Sequence, residues 1–311
     1  MTTSESASSL ALDGVNVYWI NNSGSSSFPT YEIREMPKAG GPPVTLWHEN
    51  GAAGGIVSDD AKVYFIVVYP GFAEHGAVCT GTPDICGSHL FGVGHDGSPI
   101  ADYGWGTGVP SVDDQFVYVS TPPHPGPNNS AAKSDLQAQP KDRVGVQPTV
   151  VNSMVDGRGS TTTLWGGELF WALAYQDQSG DTRGEIRAID LASRRMRVVY
   201  GKYGINPGAM KVDVDWVYFR DRGGVYRVAR TGGDAQLLWQ APNGTDIDAN
   251  ASVVYWNQSP TSQFPGCLGR ANSDGTDGRC LDEGPHDFRG VRVDDSAVYY
   301  IKDGQIWRIL K

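Results

Sequence analysis

Residues 212–239 compress the pattern of the whole chain into four short β-runs. Val212 and Val214 alternate with Asp213 and Asp215, and Trp216–Arg220, Val225–Ala229 and, past the Gly232-Gly233 turn, Ala235–Trp239 follow. Period-two alternation broken by Gly and Asp predicts a meander of antiparallel strands. Such a meander leaves both faces under-buried on its own, so it needs neighbours. The sequence supplies them by repeating the pattern from end to end.

Each predicted second strand carries one signature: Val17-Tyr18-Trp19, Val63-Tyr64-Phe65, Val117-Tyr118-Val119, Leu169-Phe170-Trp171, Val217-Tyr218-Phe219, Val254-Tyr255-Trp256 and Val298-Tyr299-Tyr300. The central residues lie 46, 54, 52, 48, 37 and 44 positions apart, which makes seven units. An alternating first strand precedes each triplet and ends in a polar or glycine turn, such as Asp13-Gly14, Asp59-Asp60, Gly166-Gly167 or Asp294-Asp295. An aspartate there can accept from backbone N–H groups two residues on, so these are read as turn residues and not as calcium ligands. Third strands run from Glu32-Ile33-Arg34 to Ile306-Trp307-Arg308, and fourth strands follow in six units. The third unit is the least regular. Aligning Leu136 and Pro140-Lys141 with Ile33 and Pro37-Lys38 makes Thr149–Met154 its fourth strand, and Thr161–Trp165 opens the next unit. The seventh unit has three strands, so either Thr2–Ser6 adds a short edge strand or the last sheet keeps an exposed edge.

This period and strand content predict an all-β fold, a single β-propeller of seven blades of four antiparallel strands, the last blade being three- or four-stranded. The blades are expected over about 9–48, 55–103, 109–155, 160–200, 210–240, 245–282 and 290–311, as one domain covering 1–311. The Tyr-Trp strand followed by Ile-x-Arg and a Gly-Gly turn resembles the YWTD and NHL repeats of bacterial and extracellular propellers. The resemblance covers nearly the whole chain at the level of the fold. Ile20-Asn21 after Trp19 and Asn257-Gln258 after Trp256 stand where the family has Thr-Asp, and that family has six blades. Its ligand residues therefore do not carry over.

Charge narrows the partners. A net charge of −10 without any Lys/Arg-rich run excludes nucleic acid and anionic membrane surfaces, which need clustered cations. No apolar run approaches the ~20 residues of a transmembrane helix. Cys79 and Cys86 bracket one loop, and Cys267 and Cys280 flank a hairpin; both are read as local disulfide pairs, because zinc-site spacing is absent. Disulfides imply an oxidising compartment. The expected location is extracellular, periplasmic or surface-anchored, with a signal or lipoprotein leader removed ahead of Met1.

Antiparallel parity puts first-to-second and third-to-fourth turns at one end, and all other connections at the opposite end. Long loops (Tyr69–Ser88, Ser120–Asp135, Tyr175–Gly184, Asn257–Gly266) fall in the second group. Loops on a rigid scaffold carry function, so that end is the expected binding face. Inter-blade connections are expected to ring the central channel, and they nominate Trp105, Arg158, Tyr203, Asn243, Phe288 and Arg289 as ligand-binding residues. Such a mixture of aromatic, amide and charged groups suits a polar organic ligand. His48 with Glu49 and His286 with Asp287 are the candidate catalytic pairs, and His48 and His286 the candidate metal ligands. No organic cofactor is expected; a divalent metal is the one ion these histidines suit. There is no G-x-S-x-G nucleophile elbow, and Gly51–Gly55 lacks the strand–loop–helix setting of a phosphate loop. The expectation is an exported, bacterial, monomeric module that binds a glycan, peptide or protein ligand. The alternative is a propeller enzyme, a lyase or hydrolase of polysaccharide or lactone type.

Overall fold

The computed structural model describes residues 6–25, 28–68, 88–121, 133–156, 158–176, 182–221, 223–250 and 252–311. Their strands form seven meanders, here blades one to seven, at 7–50, 52–105, 107–156, 158–203, 210–240, 247–284 and 288–310. Six are four-stranded in strict sequence order, and the seventh has three strands. A single parallel bridge, Thr161 to Val109, joins the inner strands of blades three and four. No helix of the described residues is long and apolar enough to cross a membrane.

The signature triplets occupy the second strands, and all 21 of their residues are buried. The reason is lateral packing. A second strand is covered by a neighbouring blade on each face, so it reads as a continuous apolar run and not as an alternation. The pleat sends the middle residue one way and its flanking residues the other. Tyr18 and Ile20 join Val63 and Phe65 of blade two, whereas Val17 and Trp19 join Tyr299 and Ile301 of blade seven. The same division gives each of the seven blade-to-blade interfaces its own core.

The aspartate turns are built as the sequence implies. Asp13 Oδ1 accepts from the N–H groups of Val15 and Asn16, at 2.7 and 2.6 Å. Asp59, Asp113, Asp213, Asn250 and Asp294 repeat this geometry in blades two, three, five, six and seven. In blades one, three and five the second oxygen receives the hydroxyl of the tyrosine five residues on: Tyr18 to Asp13 at 2.6 Å, Tyr118 to Asp113 at 2.8 Å and Tyr218 to Asp213 at 2.9 Å. Blade four is the control within the chain. Its turn is Gly166-Gly167, both at positive φ, and the tyrosine is replaced by Phe170. Without a carboxylate to accept its proton, a buried hydroxyl at 170 would be unsatisfied.

A further contact locks four of the turns to the next blade. The residue just past each third strand donates its N–H to the carbonyl two residues beyond the turn Asp or Asn, as in Lys38 to Val15, His95 to Ala61 and Lys141 to Gln115. Its side chain reaches back to the preceding blade. Lys38 pairs with Asp294 at 2.7 Å, Lys141 with Asp59 at 2.5 Å, and His95 lies 3.7 Å from Asp13 and stacks on Tyr18. In blade five Arg230 covers Trp165 at 4.1 Å and pairs with Glu168, which supplies the anion that the Gly-Gly turn of blade four lacks. Burial alone would raise the carboxyls of Asp13, Asp59 and Asp294, yet these donors hold all three below the ordinary carboxylate range.

The tyrosine clip makes a reciprocal prediction. Tyr218→Phe is expected to lower stability by about 1 kcal/mol through loss of its bond to Asp213. Phe170→Tyr, which adds the same group to a turn without an acceptor, is expected to destabilise blade four by about 1–3 kcal/mol. Urea unfolding of the two variants checks both signs.

Candidate functional site

The two ends of the ring differ as parity requires. At the turn end, the chain reverses through the short clipped turns. At the other end lie the long connections, of which 69–87, 122–132 and 177–181 fall outside the described residues. His75, His124, Cys79 and Cys86 fall there too, whereas Cys267 and Cys280 form the expected disulfide between neighbouring strands of blade six.

The structure corrects the expectation that the inter-blade segments ring the channel. Single residues link blades one to two and two to three, and the outer strand of blade four runs on to Tyr203, so several nominated side chains belong to outer strands. Gly51 alone joins blade one to blade two, and His48, Glu49 and Asn50 remain paired in the outermost strand with Glu32, Tyr31 and Thr30. They edge a hollow of about 370 Å³ with Ser23 and Thr30, away from the axis. Trp105 likewise ends an outer strand, with His89 against it at 4.9 Å; the His89 ring in turn lies 3.1 Å from Asp102. Tyr203 ends the outer strand of blade four, exposed, with the Arg183 guanidinium over its ring. Arg158 begins the inner strand of the same blade. His48 and His286 do not meet. Among the described residues no three His, Cys, Asp or Glu side chains gather as a metal site.

Five nominated residues do come together, where blades five, six and seven adjoin at the loop-rich end. Asn243 sits in a left-handed turn in the connection to blade six, and its carbonyl accepts from Ser259 N–H at 3.4 Å. Ser259 Oγ donates to Asp287 Oδ1 at 2.9 Å, and Arg289 Nε donates to Asp287 Oδ2 at 2.6 Å. His286 Nδ1 lies 2.6 Å from Asp303 Oδ2, while Asp303 Oδ1 accepts from the Asp287 N–H at 2.9 Å. That N–H, with His286 adding to it, holds the Asp303 carboxyl below its ordinary range. An ionised Asp303 requires a proton on Nδ1, and in the neutral form of the half-exposed ring Nε2 is then the acceptor. Phe288 is fully buried and stacks on Tyr300, so it floors the cluster and is removed from direct ligand contact. The partner of His286 is therefore Asp303, from the hairpin of blade seven, and not its sequence neighbour Asp287. The 16- or 17-residue separation gave the sequence no signal for that pairing.

The axis itself holds a second feature that the nominated residues did not include. Each inner strand of blades two to four contacts the next at Gly55, Gly108 and Ser160. A Cβ on Gly55 would stand 2.1 Å from the Gly108 carbonyl oxygen, and one on Gly108 would stand 1.8 Å from that of Ser160. Only glycine permits this approach at their positive φ values. On the turn side of this contact lies a cavity of about 350 Å³, lined by the last residues of all seven inner strands.

Known structures bear on the fold. No family model and no curated protein matches the chain. Among solved structures, the propeller domain of the trilobed protease from Pyrococcus furiosus, described as having an open velcro topology, aligns with 99% of this chain and 98% of its own, at TM-score 0.61 and 11% identity. The chain is a β-propeller. A prolyl endopeptidase matches at TM-score 0.62 and 10% identity over 99% of the chain, which spans about half, 50%, of that longer protein. A chain of the nidogen–laminin complex matches at TM-score 0.56 and 11% identity, over 83% of this propeller and 93% of its own length.

The His286–Asp303 geometry is testable by nitrogen NMR. In the wild-type protein above neutral pH, the His286 ring is expected in the Nδ1–H tautomer. Asp303→Asn weakens the acceptor, and the population is expected to move toward Nε2–H. An unchanged tautomer ratio would contradict the assignment.

Proposed function

We propose that this propeller is an exported binding module that takes a polar ligand, a glycan or peptide, on its loop-rich end. The observation that carries the reading is the cluster formed by Asn243, Ser259, His286, Asp287, Arg289 and Asp303. Its members fix one another by hydrogen bonds, which lowers the cost of ordering them on binding. His286 Nε2 offers an acceptor and the exposed Arg289 offers donors. Tyr203 and Trp105, on other blades of the same end, add aromatic faces suited to sugar rings or peptide side chains. The Cys267–Cys280 disulfide supports an oxidising compartment and hence export. The protein acts as a monomer, and its partner is neither nucleic acid nor an anionic membrane surface.

One observation favours a second reading. A histidine oriented by a carboxylate is the arrangement of a general base, so the same pair would serve a lyase or hydrolase of polysaccharide or lactone type. Ser259 gives its proton to Asp287 and Phe288 and is not bonded to His286, so a serine nucleophile is disfavoured.

Screening the full chain on glycan and peptide arrays tests the binding reading. Arg289→Ala and His286→Gln are each expected to weaken the best ligand about tenfold or more, the equivalent of 1.4 kcal/mol. Unchanged binding by both variants would overturn the site. Turnover of the ligand by wild type that vanishes in His286→Gln, with binding retained, would decide for the enzyme.

A further inference from the structure

The axial cavity is built from unlike walls. On one side Asp246, just ahead of the inner strand of blade six, and Asp248, within it, face cations from both neighbouring blades. Arg292 Nη1 of blade seven donates to Asp246 Oδ2 at 2.6 Å, and Lys211 Nζ of blade five lies 2.9 Å from Asp248 Oδ1. All four side chains line the cavity. The opposite wall, from blades one to four, is mixed: Leu12, Val57, Val112 and Leu164, which also pack against the blade-to-blade cores, sit beside Ser58, Ser111 and Thr163.

A donor and acceptor census shows what this wall lacks. Asp246 already accepts from the N–H groups of Ile247 and Val291 besides Arg292. Asp248 accepts from Ala249 and Val293 besides Lys211. Each carboxylate thus has three donors, two of them backbone, and serves to pin blade six to blade seven. The cations are not so consumed. Arg292 spends only Nη1, on Asp246 and the Val291 carbonyl, and among the described residues its Nε and Nη2 meet no acceptor. Lys211 Nζ has Asp248 as its one partner there, and its side chain is 42% exposed. The wall therefore has donors to spare and few acceptors, and a guanidinium edge is the shape that takes a carboxylate in bidentate fashion.

We propose that the axial cavity binds a small monocarboxylate, with its carboxylate on Arg292 and Lys211 and its apolar body against Leu12, Val57, Val112 and Leu164. The exposed aspartates of the surrounding turns, Asp60, Asp114, Asp215 and Asp295, repel polyanions and restrict the ligand to a single negative charge. This site lies on the turn side of the Gly55–Gly108–Ser160 contact, so it is separate from the loop-end cluster and does not depend on the reading given to that cluster.

Butyrate and its uncharged counterpart butyramide are the probes, titrated by calorimetry into the full chain. Butyrate is expected to bind and butyramide not. Arg292→Lys keeps the charge but removes the fork, and is expected to weaken butyrate about tenfold. Lys211→Met leaves the Arg292–Asp246 pair and the backbone bonds of Asp248 in place, and is expected to weaken butyrate by a similar factor. Should Arg292→Lys fail to fold, Lys211→Met decides alone. The proposal is overturned by equal binding of acid and amide, by no binding of either, or by butyrate affinity that Lys211→Met leaves unchanged. A peptide with a free C-terminal carboxylate, run beside its amidated form, separates a small-molecule acid from a chain terminus as the source of the same group. Binding of the free-terminus peptide in place of butyrate would overturn the small-molecule assignment.

Discussion

The structure depends on closing a ring whose last blade has three strands among the described residues; residues 2–5 of the expected edge strand Thr2–Ser6 lie outside them. A fourth strand contributed by the other chain terminus would tie blade seven to blade one through a hydrogen-bonded ladder. Among the described residues that tie is lateral. Leu10, Val17, Trp19 and Met36 of blade one share a core with Ala297, Tyr299, Ile301 and Ile306 of blade seven. The Ala7 N–H donates to the Gly304 carbonyl, Lys38 pairs with Asp294, and Arg308 donates to the Lys38 carbonyl. Blades one and seven thus meet through the elements that join blades one to two and two to three: a core, a clipped turn and a residue reaching back from the next blade. Because each element recurs, the closing interface needs no special device.

Much of this was legible in the sequence, for reasons of period and chemistry. The buried triplets stood out because strands covered on both faces carry no polar residue to interrupt them. Asp before a tight turn has few structural meanings, and six of the seven turns use an Asp or Asn in the expected way. The coupling of Gly166-Gly167 with Phe170 is also visible in the sequence once the clip is known. The locking contacts were not. They join residues of different blades, as with Lys141 and Asp59, and a repeat alignment does not say which neighbour a side chain faces.

The site was less legible, and the reason is strand length. Where one residue links two blades, His48 and Trp105 lie near the end of an outer strand and take its pleat, and Tyr203 does the same ahead of the longer linker 204–209. Where the linker is longer, as at 241–246 and 285–287, Asn243 and His286 are free of the ladder and can meet groups from the next blade. Freedom from the outer-strand ladder therefore decided which nominated residues converge. The polar lining of the axis escaped notice for another reason. Lys211, Asp246, Asp248 and Arg292 come from three blades and are brought together only by the ring.

The claim that lateral locks close the ring is tested most directly at Lys38 and Asp294, whose side chains are 16% and 22% exposed. A double-mutant cycle with Lys38→Met and Asp294→Asn, read by urea unfolding, isolates their coupling while the amide keeps the turn bonds of residue 294. The account predicts a coupling of about 1 kcal/mol or more, as for a partly buried charged hydrogen bond. Strictly additive single effects, with coupling near zero, would contradict it.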